Sequence, residues 1–346
     1  MKKENYKKLD GKTRNLIDQV NKLFRNNNQK SIKTRYRYLA AQERFCKWLA
    51  QNTNIKKIKN VKARHFIKYV KYLQENNLSP KMIKAELSGV RHFHVLTGSK
   101  ETLPVNSRLN IPKVVTNGGV DRSWSQKEVR DAIALAQKMG RIDVIMAIKI
   151  CYSFGTRIEE VITLNTKQIT NAIKNLQLDL ENTKGHRPRG VNVGTESKYK
   201  NMQIRALKYA SEHALSRDKV FIKLGKQTHT IIKSVQNWVN NNRSKFQENN
   251  VRINRDEARE IATYNRDNKL EMERPKANLT MHGLRHSYAN NLYKEILKEK
   301  LLEHSKSQEK QFERERTREI EKETRLEVSN SLGHGRDQIT STYINS

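Results

Sequence analysis

Apolar residues in the first part of the chain recur every three or four positions, which is typical of amphipathic helices. One such stripe consists of Ile32, Tyr36, Leu39, Cys46 and Leu49. A second stripe consists of Phe66, Ile67, Val70 and Leu73. A third helix is predicted over 13–26. A fourth begins at Ser79-Pro80, where serine can cap the helix and proline suits its first position. Residues 1–97 are therefore predicted to form four helices.

A polar stretch with glycine and proline breaks, residues 98–123, then interrupts this pattern and indicates a linker. Helical spacing resumes at a capping box formed by Ser125 and Glu128, and the apolar run 142–154 predicts a buried helix. Residues 176–194 alternate instead as short strands around a turn. The pattern predicts a mainly α protein with a small β-sheet. We expect a helical domain over 1–112, a linker over 113–123 and a mixed domain over 124–346.

Positive charge is the strongest feature of the composition. The 346 residues include 69 Lys+Arg and 36 Asp+Glu, for a net charge of +33. Residues 1–120 carry 27 basic and 7 acidic side chains, so most of the excess lies there. A field of this size favours a polyanion such as DNA or RNA. An anionic membrane is the alternative, but the sequence has neither a basic amphipathic anchor nor an apolar run of about 18 residues.

The cysteines and the N-terminal residues bear on the compartment. Cys46 and Cys151 are the only cysteines, which favours neither a disulfide framework nor a zinc site. The basic N-terminus is not followed by the apolar region of a secretory signal. We therefore expect a cytoplasmic, nucleoid-associated protein.

One segment departs from the basic character of the chain. Residues 298–327 contain nine basic and nine acidic side chains, and their apolar residues are too sparse for a heptad seam. The pattern predicts an exposed, charge-paired helical insertion. We expect it to form a protruding arm or a protein contact rather than to bind DNA.

Four short motifs carry the candidate chemistry. They are FGTRIEEV with Arg157, TKGHRPRGV with Lys184, HGLRHSYA with His282 and Arg285, and LGHGRDQITSTYI with His334 and Tyr343. Taken singly, each has an ordinary structural explanation, such as an ion pair between Arg157 and Glu160. Together and in this order they resemble the boxes of the tyrosine recombinases, the phage-integrase-like site-specific DNA recombinases.

The resemblance covers roughly residues 10–346 and carries implications for fold and function. It implies an N-terminal helical, SAM-like core-binding bundle and a mixed α/β catalytic domain that close on a duplex as a C-shaped clamp. It implies cleavage of DNA through a 3′-phosphotyrosine and rejoining to a partner duplex, by a homotetramer assembled on double-stranded DNA. Integration or excision of a mobile element is expected rather than resolution of chromosome dimers.

The residue types suit the chemistry of a phosphodiester. Arg157 and Arg285 each offer a planar fork of donors to the non-bridging oxygens and can neutralise the charge of the transition state. His334 would hydrogen-bond the same phosphate. Glu160 is expected to hold Arg157 or a neighbouring basic group in place.

The remaining candidates move protons or form the covalent bond. Tyr343 is the expected nucleophile, and because a free phenol has a pKa near ~10, it needs nearby cations and a base. His282 is the candidate base, and Lys184 would protonate the leaving 5′ oxygen. Gly333 and Gly335 would permit the turn that brings His334 and Tyr343 together. No ATP, metal or other cofactor is expected, because the chain has no phosphate-loop motif and no acidic cluster suited to two metals.

The sequence departs from the family pattern in two places. Arg285 and His334 are 49 residues apart, an unusually long gap that the segment 298–327 explains if it loops away from the site. Only three residues follow Tyr343, where many relatives have a helix that docks on the next protomer. Either the insertion supplies the protomer contact, or DNA and the N-terminal helices hold the assembly together.

Two other functions remain open at this point. A type IB topoisomerase uses nearly the same residues, but would relax one duplex as a monomer. A basic DNA-binding protein without catalytic activity could keep the fold, although the intact set of six candidate residues argues against it.

Overall fold

The computed structural model describes residues 6–28, 30–112, 119–181, 183, 188–194, 197–216, 218–222, 225–306, 313–334 and 340–344. The chain divides into two compact units, Met1–Val115 and Thr116–Ser346. The predicted fold class is confirmed, because helices dominate both units and the described strands are short. The predicted domain boundaries remain predictions.

The first unit contains the four predicted helices, three of which begin at a side-chain cap. They are α1 (Gly11–Arg25), α2 (Ile32–Asn52), α3 (Ala63–Glu75) and α4 (Pro80–Leu96). The side chains of Asp10, Ser31 and Ser79 accept hydrogen bonds from backbone N–H groups in the first turns of α1, α2 and α4. The predicted serine cap and N1 proline of α4 are thus both confirmed. Two 3₁₀ turns lie at Ile58–Asn60 and Asn106–Arg108.

The core of the first unit is apolar and closely packed. Its fully buried residues include Leu16, Ile17, Leu49, Phe66, Leu87 and Phe93. Helices α2 and α4 approach closely at Gly89, where a Cβ atom would lie 2.8 Å from the Cβ of Ala41. A side chain there would push the two helices apart.

Three residues of the predicted apolar stripes are not in this core. Ile32, Tyr36 and Ile67 are 71%, 60% and 40% exposed. Ile32 is the first residue of α2, and the Tyr36 ring instead lies 5.3 Å from that of Phe24. Ile67 follows the buried Phe66, and successive helical residues point about 100° apart. The stripe prediction was wrong at these positions.

The second unit begins with a series of helices. They are α5 (Gln126–Lys138), α6 (Ile142–Phe154), α7 (Ile158–Ile162), α8 (Thr166–Asn175), α9 (Ser197–Glu212), α10 (Thr228–Asn242), α11 (Arg255–Asp267), α12 (Gly283–Lys306) and α13 (Glu313–Ser331). The Ser125 and Glu128 capping box at α5 is confirmed. Helix α6 is buried on nearly all sides, as its apolar run predicts.

Short strands complete the second unit. Strands β1 (Gln177–Leu180) and β2 (Arg189–Asn192) are antiparallel, with Leu178 opposite Val191. Strands β3 (Arg252–Ile253) and β4 (Lys276–Ala277) form a parallel pair. The hairpin predicted from alternation is therefore present, and β2 brings its first residue, an arginine, toward α13.

The described end of the expected linker packs within the second unit. The N–H of Asp121 donates to the carbonyl of Pro275 (3.0 Å), and its own carbonyl accepts from Ala277 (2.8 Å). The N–H of Trp124 donates to Oγ of Ser287 on α12 (2.7 Å). These bonds fix residues 121–124 between β4 and α12.

The described part of the neutral segment 298–327 consists of the end of α12 and most of α13. The two helices run side by side, and Lys300 Nζ lies 3.2 Å from Glu323 and 2.6 Å from Glu327. Leu301, Leu302 and Leu326 are exposed here. Because α13 runs back along α12, residues that precede and follow this long insertion can lie close together.

Among the described residues, no helix combines the length and apolar character needed to cross a bilayer.

Removing one partner of the buried ion pair between Glu128 and Arg252 should destabilise the second unit strongly. Their side chains are 1% and 2% exposed, and Arg252 Nη2 lies 2.6 Å from Glu128 Oε2. Glu128→Ala would leave a buried guanidinium unpaired, so we expect a loss of about 3–5 kcal/mol in the free energy of unfolding, measured in urea. Asp131→Ala is the control, because the Lys127–Asp131 pair is exposed and its loss should have little effect on stability. Equal losses would contradict this account.

Candidate active site

The first arginine of the site is positioned by a turn that requires glycine. Helix α6 ends at Gly155, whose φ of 59° lies in the left-handed region, and a Cβ atom there would lie 2.2 Å from Tyr288. The chain then enters α7, with Arg157 as its N-cap residue. The backbone N–H of Arg157 donates to Glu160 (2.9 Å), and its Nη1 donates to the same carboxylate (2.7 Å). The predicted contact between Glu160 and Arg157 is present.

Glu160 also holds a second arginine that sequence reasoning did not single out. Arg189, the first residue of β2, donates from Nη2 to Glu160 (2.9 Å) and from Nη1 to the carbonyl of Ser331. Burial alone would raise the pKa of Glu160, but Arg189 and Arg157 together hold it below its usual value. The signal available was its position in the TKGHRPRGV motif, within the alternating segment that forms the hairpin.

The central arginine has no exposed surface. Arg285, in the first turn of α12, donates from Nη1 to the carbonyl of Gly155 and from Nη2 to the carbonyl of Leu332. Its Nη2 also lies 3.1 Å from Nε2 of His334. An arginine only donates, so Nε2 of His334 accepts, and the proton of the neutral ring is on Nδ1. Arg285 Nε is buried and has no partner within the described residues.

The contact between Arg285 and His334 joins two residues 49 positions apart. Helix α13 ends at Ser331, and Gly333 turns the chain with a φ of 71°. A Cβ on Gly333 would lie 2.5 Å from Cδ of Arg189, so this turn also admits the arginine side chain. Gly333 thus makes the turn predicted for it, whereas Gly335 lies outside the described residues.

Tyr343 lies among three histidine rings. Its ring centroid is 5.9 Å from that of His282, 4.6 Å from that of His286 and 5.6 Å from that of His334. The guanidinium carbon of Arg285 lies 5.6 Å from the same centroid. The next residue is anchored, because Arg274 Nη1 donates to the carbonyl of Ile344 (2.6 Å). Tyr343 is therefore already beside the arginine and histidine side chains.

Burial and neighbouring arginines keep His282 and His334 neutral. Burial, then Arg285 and Arg122, lower the pKa of His282 to about 4, even though the residue is exposed. Burial, then Arg285 and Arg157, lower the pKa of His334 to about 4. Both rings are therefore neutral at pH 7; the lone pair of His334 accepts from Arg285.

His286, which follows Arg285 on α12, is almost fully buried. Burial and the neighbouring His282 lower its pKa far below the usual range. Its ring packs against both His282 and Tyr343. It therefore supports the two rings that carry the proposed chemistry.

The structure brings together five of the six predicted catalytic residues: Arg157, His282, Arg285, His334 and Tyr343. The sixth, Lys184, lies outside the described residues. Within the described part of the chain, no group of three or more His, Cys, Asp or Glu side chains could hold a metal ion. The arrangement offers guanidinium groups for an anion, neutral imidazoles as bases and a phenol as nucleophile.

Two models of known protein families match the sequence of this chain. The sequence model of the phage integrase family matches residues 123–309, and the model described as the N-terminal phage integrase domain matches residues 14–103. No curated protein matches the chain. The chain belongs to the phage integrase family, and is thus a tyrosine recombinase. The family match ends before His334 and Tyr343, so their assignment rests on geometry and on the LGHG…Tyr motif.

Several solved structures share the fold at low sequence identity. A lambda integrase tetramer bound to a Holliday junction has a TM-score of 0.56 and 13% identity, covering 94% of this chain and 76% of that chain. A lambda integrase dimer bound to a COC′ core site has a TM-score of 0.53 and 12% identity, with 95% and 76% covered. The XerH site-specific recombinase bound to difH substrate has a TM-score of 0.50 and 16% identity, with 94% and 81% covered.

The depressed histidine pKa values predict an unusual pH response. An imidazole with an ordinary pKa near 6.5 is roughly 90% protonated at pH 5.5, whereas His282 and His334 should remain neutral there. Their ring signals in NMR spectra, assigned with His282→Asn and His334→Asn, should stay unchanged from pH 7 to 5.5. Midpoints near pH 6.5 would contradict this description of the site.

The same shifts have a defined effect on stability. The folded protein binds these two protons only near pH 4, whereas the unfolded chain binds them near pH 6.5. Their contribution to stability is therefore present above pH 6.5 and is lost as the pH falls from about 6.5 to 4.

Proposed function

We propose that this protein is a site-specific DNA recombinase in which Tyr343 cleaves a phosphodiester and the strand is rejoined to a partner duplex. The observation that carries the proposal is the convergence of Arg157, His282, Arg285 and His334 beside Tyr343. Membership of the phage integrase family supports the same reaction. So does the net charge of +33, which favours a polyanionic substrate.

Charge neutralisation comes first in the proposed reaction. A phosphodiester repels nucleophiles because its non-bridging oxygens are negative, and more charge develops there in the transition state. Arg157 and Arg285 supply guanidinium donors, and Glu160 keeps Arg157 oriented without neutralising both arginines. Because Arg285 is fixed by two backbone carbonyls, it needs little reorganisation when the phosphate binds. His334, which contacts Arg285 in the free protein, then hydrogen-bonds the phosphate.

The covalent step exchanges one phosphorus–oxygen bond for another. The phenolic oxygen of Tyr343 attacks phosphorus, the bond to the 5′ oxygen breaks, and the products are a 3′-phosphotyrosine and a 5′-hydroxyl. The phenolic proton passes to His282, whose lone pair is free at neutral pH. The surrounding guanidinium groups stabilise the developing phenolate, which compensates for the weakness of a base with a low pKa.

Lys184 completes proton transfer by protonating the leaving 5′ oxygen. The phosphotyrosine conserves the energy of the phosphodiester, so a 5′-hydroxyl from a partner duplex can attack it and reverse the bond exchange. This chemistry needs neither ATP nor a metal ion, because the arginines supply the positive charge. Cleavage should therefore persist in excess chelator.

The two units are proposed to have different functions. We propose that the basic helical domain, 1–112, binds the core site and that the domain 124–346 carries the chemistry, with 113–123 connecting them. Four copies would assemble on two duplexes, in keeping with the lambda integrase tetramer bound to a Holliday junction. The proposed role is integration or excision of a mobile element, in the cytoplasm at the nucleoid.

Removal of the proposed nucleophile should abolish covalent attachment to DNA. Wild-type protein expressed in cells and recovered under denaturing conditions should carry DNA, and Tyr343→Phe should reduce this by roughly three orders of magnitude, because phenylalanine has no nucleophilic oxygen. Tyr264→Phe is the matched control, since Tyr264 is 63% exposed on α11 and should retain full activity. Sequencing the attached DNA would identify the target.

Other outcomes of this experiment separate the alternatives. Equal recovery of DNA with wild-type protein and Tyr343→Phe would contradict the proposal and favour a non-catalytic binder. Attachment without a preferred sequence, combined with relaxation of supercoiled DNA and no recombinants, would instead indicate a topoisomerase.

The role of Lys184 can be tested by changing the leaving group. Lys184→Ala should slow cleavage of an ordinary strand by about 10²–10⁴-fold, the usual range for a lost general acid. A strand with sulfur in place of the bridging 5′ oxygen should restore most of the rate, because a thiolate leaves without a proton. His282→Ala should stay slow on both strands. A Lys184 defect that persists with sulfur would exclude the general-acid role.

A further inference from the structure

A second group of arginines lies beside the candidate active site, and the first of them, Arg122, projects from a fixed backbone. A Cβ atom on Gly283 would lie 2.3 Å from the carbonyl oxygen of Arg122. Trp124, two residues later, is hydrogen-bonded to Ser287. Arg122 is therefore held against the first turn of α12, the turn that carries Arg285.

Helix α11 runs alongside this segment and brings two more arginines to it. A Cβ on Gly119 would lie 3.2 Å from the Cβ of Ala262, and Val120 shares a small core with Ala258, Ala262 and Ala277. The same helix carries Arg255 and Arg259, and both guanidinium groups act electrostatically on Arg122.

The positive charge of this group is only partly balanced. Arg259 Nη1 lies 2.9 Å from Asp256. Nε of Arg122 and Nε of Arg259 are buried and have no hydrogen-bond partner in the described part of the chain. Burial, then repulsion by Arg255 and Arg259, lower the pKa of Arg122 to about 10, so it still carries its charge at pH 7.

This group and the predicted catalytic arginines both act on the histidine rings around Tyr343, and Arg285, Arg122, Arg157 and Arg255 together depress the pKa of His282. Besides Arg285, the arginines that depress the pKa of His334 are Arg157 and Arg189. Those that depress the pKa of His286 are Arg122 and Arg255. Since these rings pack against Tyr343, both groups of guanidinium ions lie near the tyrosine.

We infer that Arg122, Arg255 and Arg259 form a second anion site, which binds a backbone phosphate of DNA next to the phosphate that is cleaved. The inference rests on the proposed function for the identity of its ligand. Guanidinium forks match phosphate oxygens, and unused buried donors gain most from such a partner. A strand that places one phosphate at Arg157 and Arg285 carries neighbouring phosphates past Tyr343, where these three arginines lie.

The first test does not depend on cleavage. In full-length protein carrying Tyr343→Phe, the dependence of duplex affinity on salt reports the number of phosphate contacts. Arg122→Ala and Arg255→Ala should each lower the slope of log Kd against log salt by about 1. Arg266→Ala is the matched control, because this exposed arginine on α11 pairs with Asp267 and should leave the slope unchanged.

The second test locates the phosphate. Single neutral methylphosphonates are placed at each position flanking the cleavage point, and the rate of covalent attachment is measured with Tyr343 intact. One substitution should slow wild-type protein by roughly tenfold. The same substitution should have no further effect on Arg122→Ala, because the partner of that phosphate is already absent.

The outcomes separate this inference from the proposed function. Unchanged salt slopes for both Arg122→Ala and Arg255→Ala would overturn the second site, whether or not Tyr343 cleaves DNA, and would favour a carboxylate ligand or a purely structural role. Reduced slopes without any covalent product would support the second site and contradict the proposed function. Arg255→Ala keeps the test valid if Arg122→Ala fails to fold, because Arg255 is exposed and its loss should not affect the core.

Discussion

The position of Arg285 is the constraint on which the rest of the second unit depends. A guanidinium ion without exposed surface depends on acceptors within the protein, and the two carbonyls that serve Arg285 come from Gly155 and Leu332. These carbonyls are available only if α6 ends in a left-handed glycine and α13 returns along α12. Burial of one cation thus fixes the relative positions of segments far apart in the sequence. It also brings Arg157, which follows Gly155, and His334, which follows Leu332, to the same place.

Within the described part of the chain, positive charge at the site is concentrated around the carboxylate of Glu160. This buried group contacts both Arg157 and Arg189 and orients them. Burial and the neighbouring arginines lower the pKa values of the histidines, because a further cation is unfavourable there. A phosphate would relieve this repulsion, so the free protein is organised for an anion. The same property keeps the imidazoles neutral and able to accept a proton.

Much of this arrangement could be predicted from the sequence, because capping residues, apolar periodicity and turn glycines act locally. Three of the four motifs identified the five side chains that meet at the site. The stripe prediction failed at Ile32, Tyr36 and Ile67, since periodicity does not reveal where a helix lacks a neighbour. Arg189 and Arg122 were missed because their importance depends on contacts with residues more than 25 positions away. Spacing alone likewise could not show that α12 and α13 fold back to bring Arg285 to His334.

The most direct test of the central claim is an experimental structure of Tyr343→Phe bound to a duplex that contains its target. The account predicts that the guanidinium groups of Arg157 and Arg285 contact non-bridging oxygens of one phosphate, with His334 on the same group. The ring at position 343 should lie opposite the 5′ oxygen of that phosphate. Contacts of the two arginines with different phosphates, or a ring at position 343 remote from both, would contradict it.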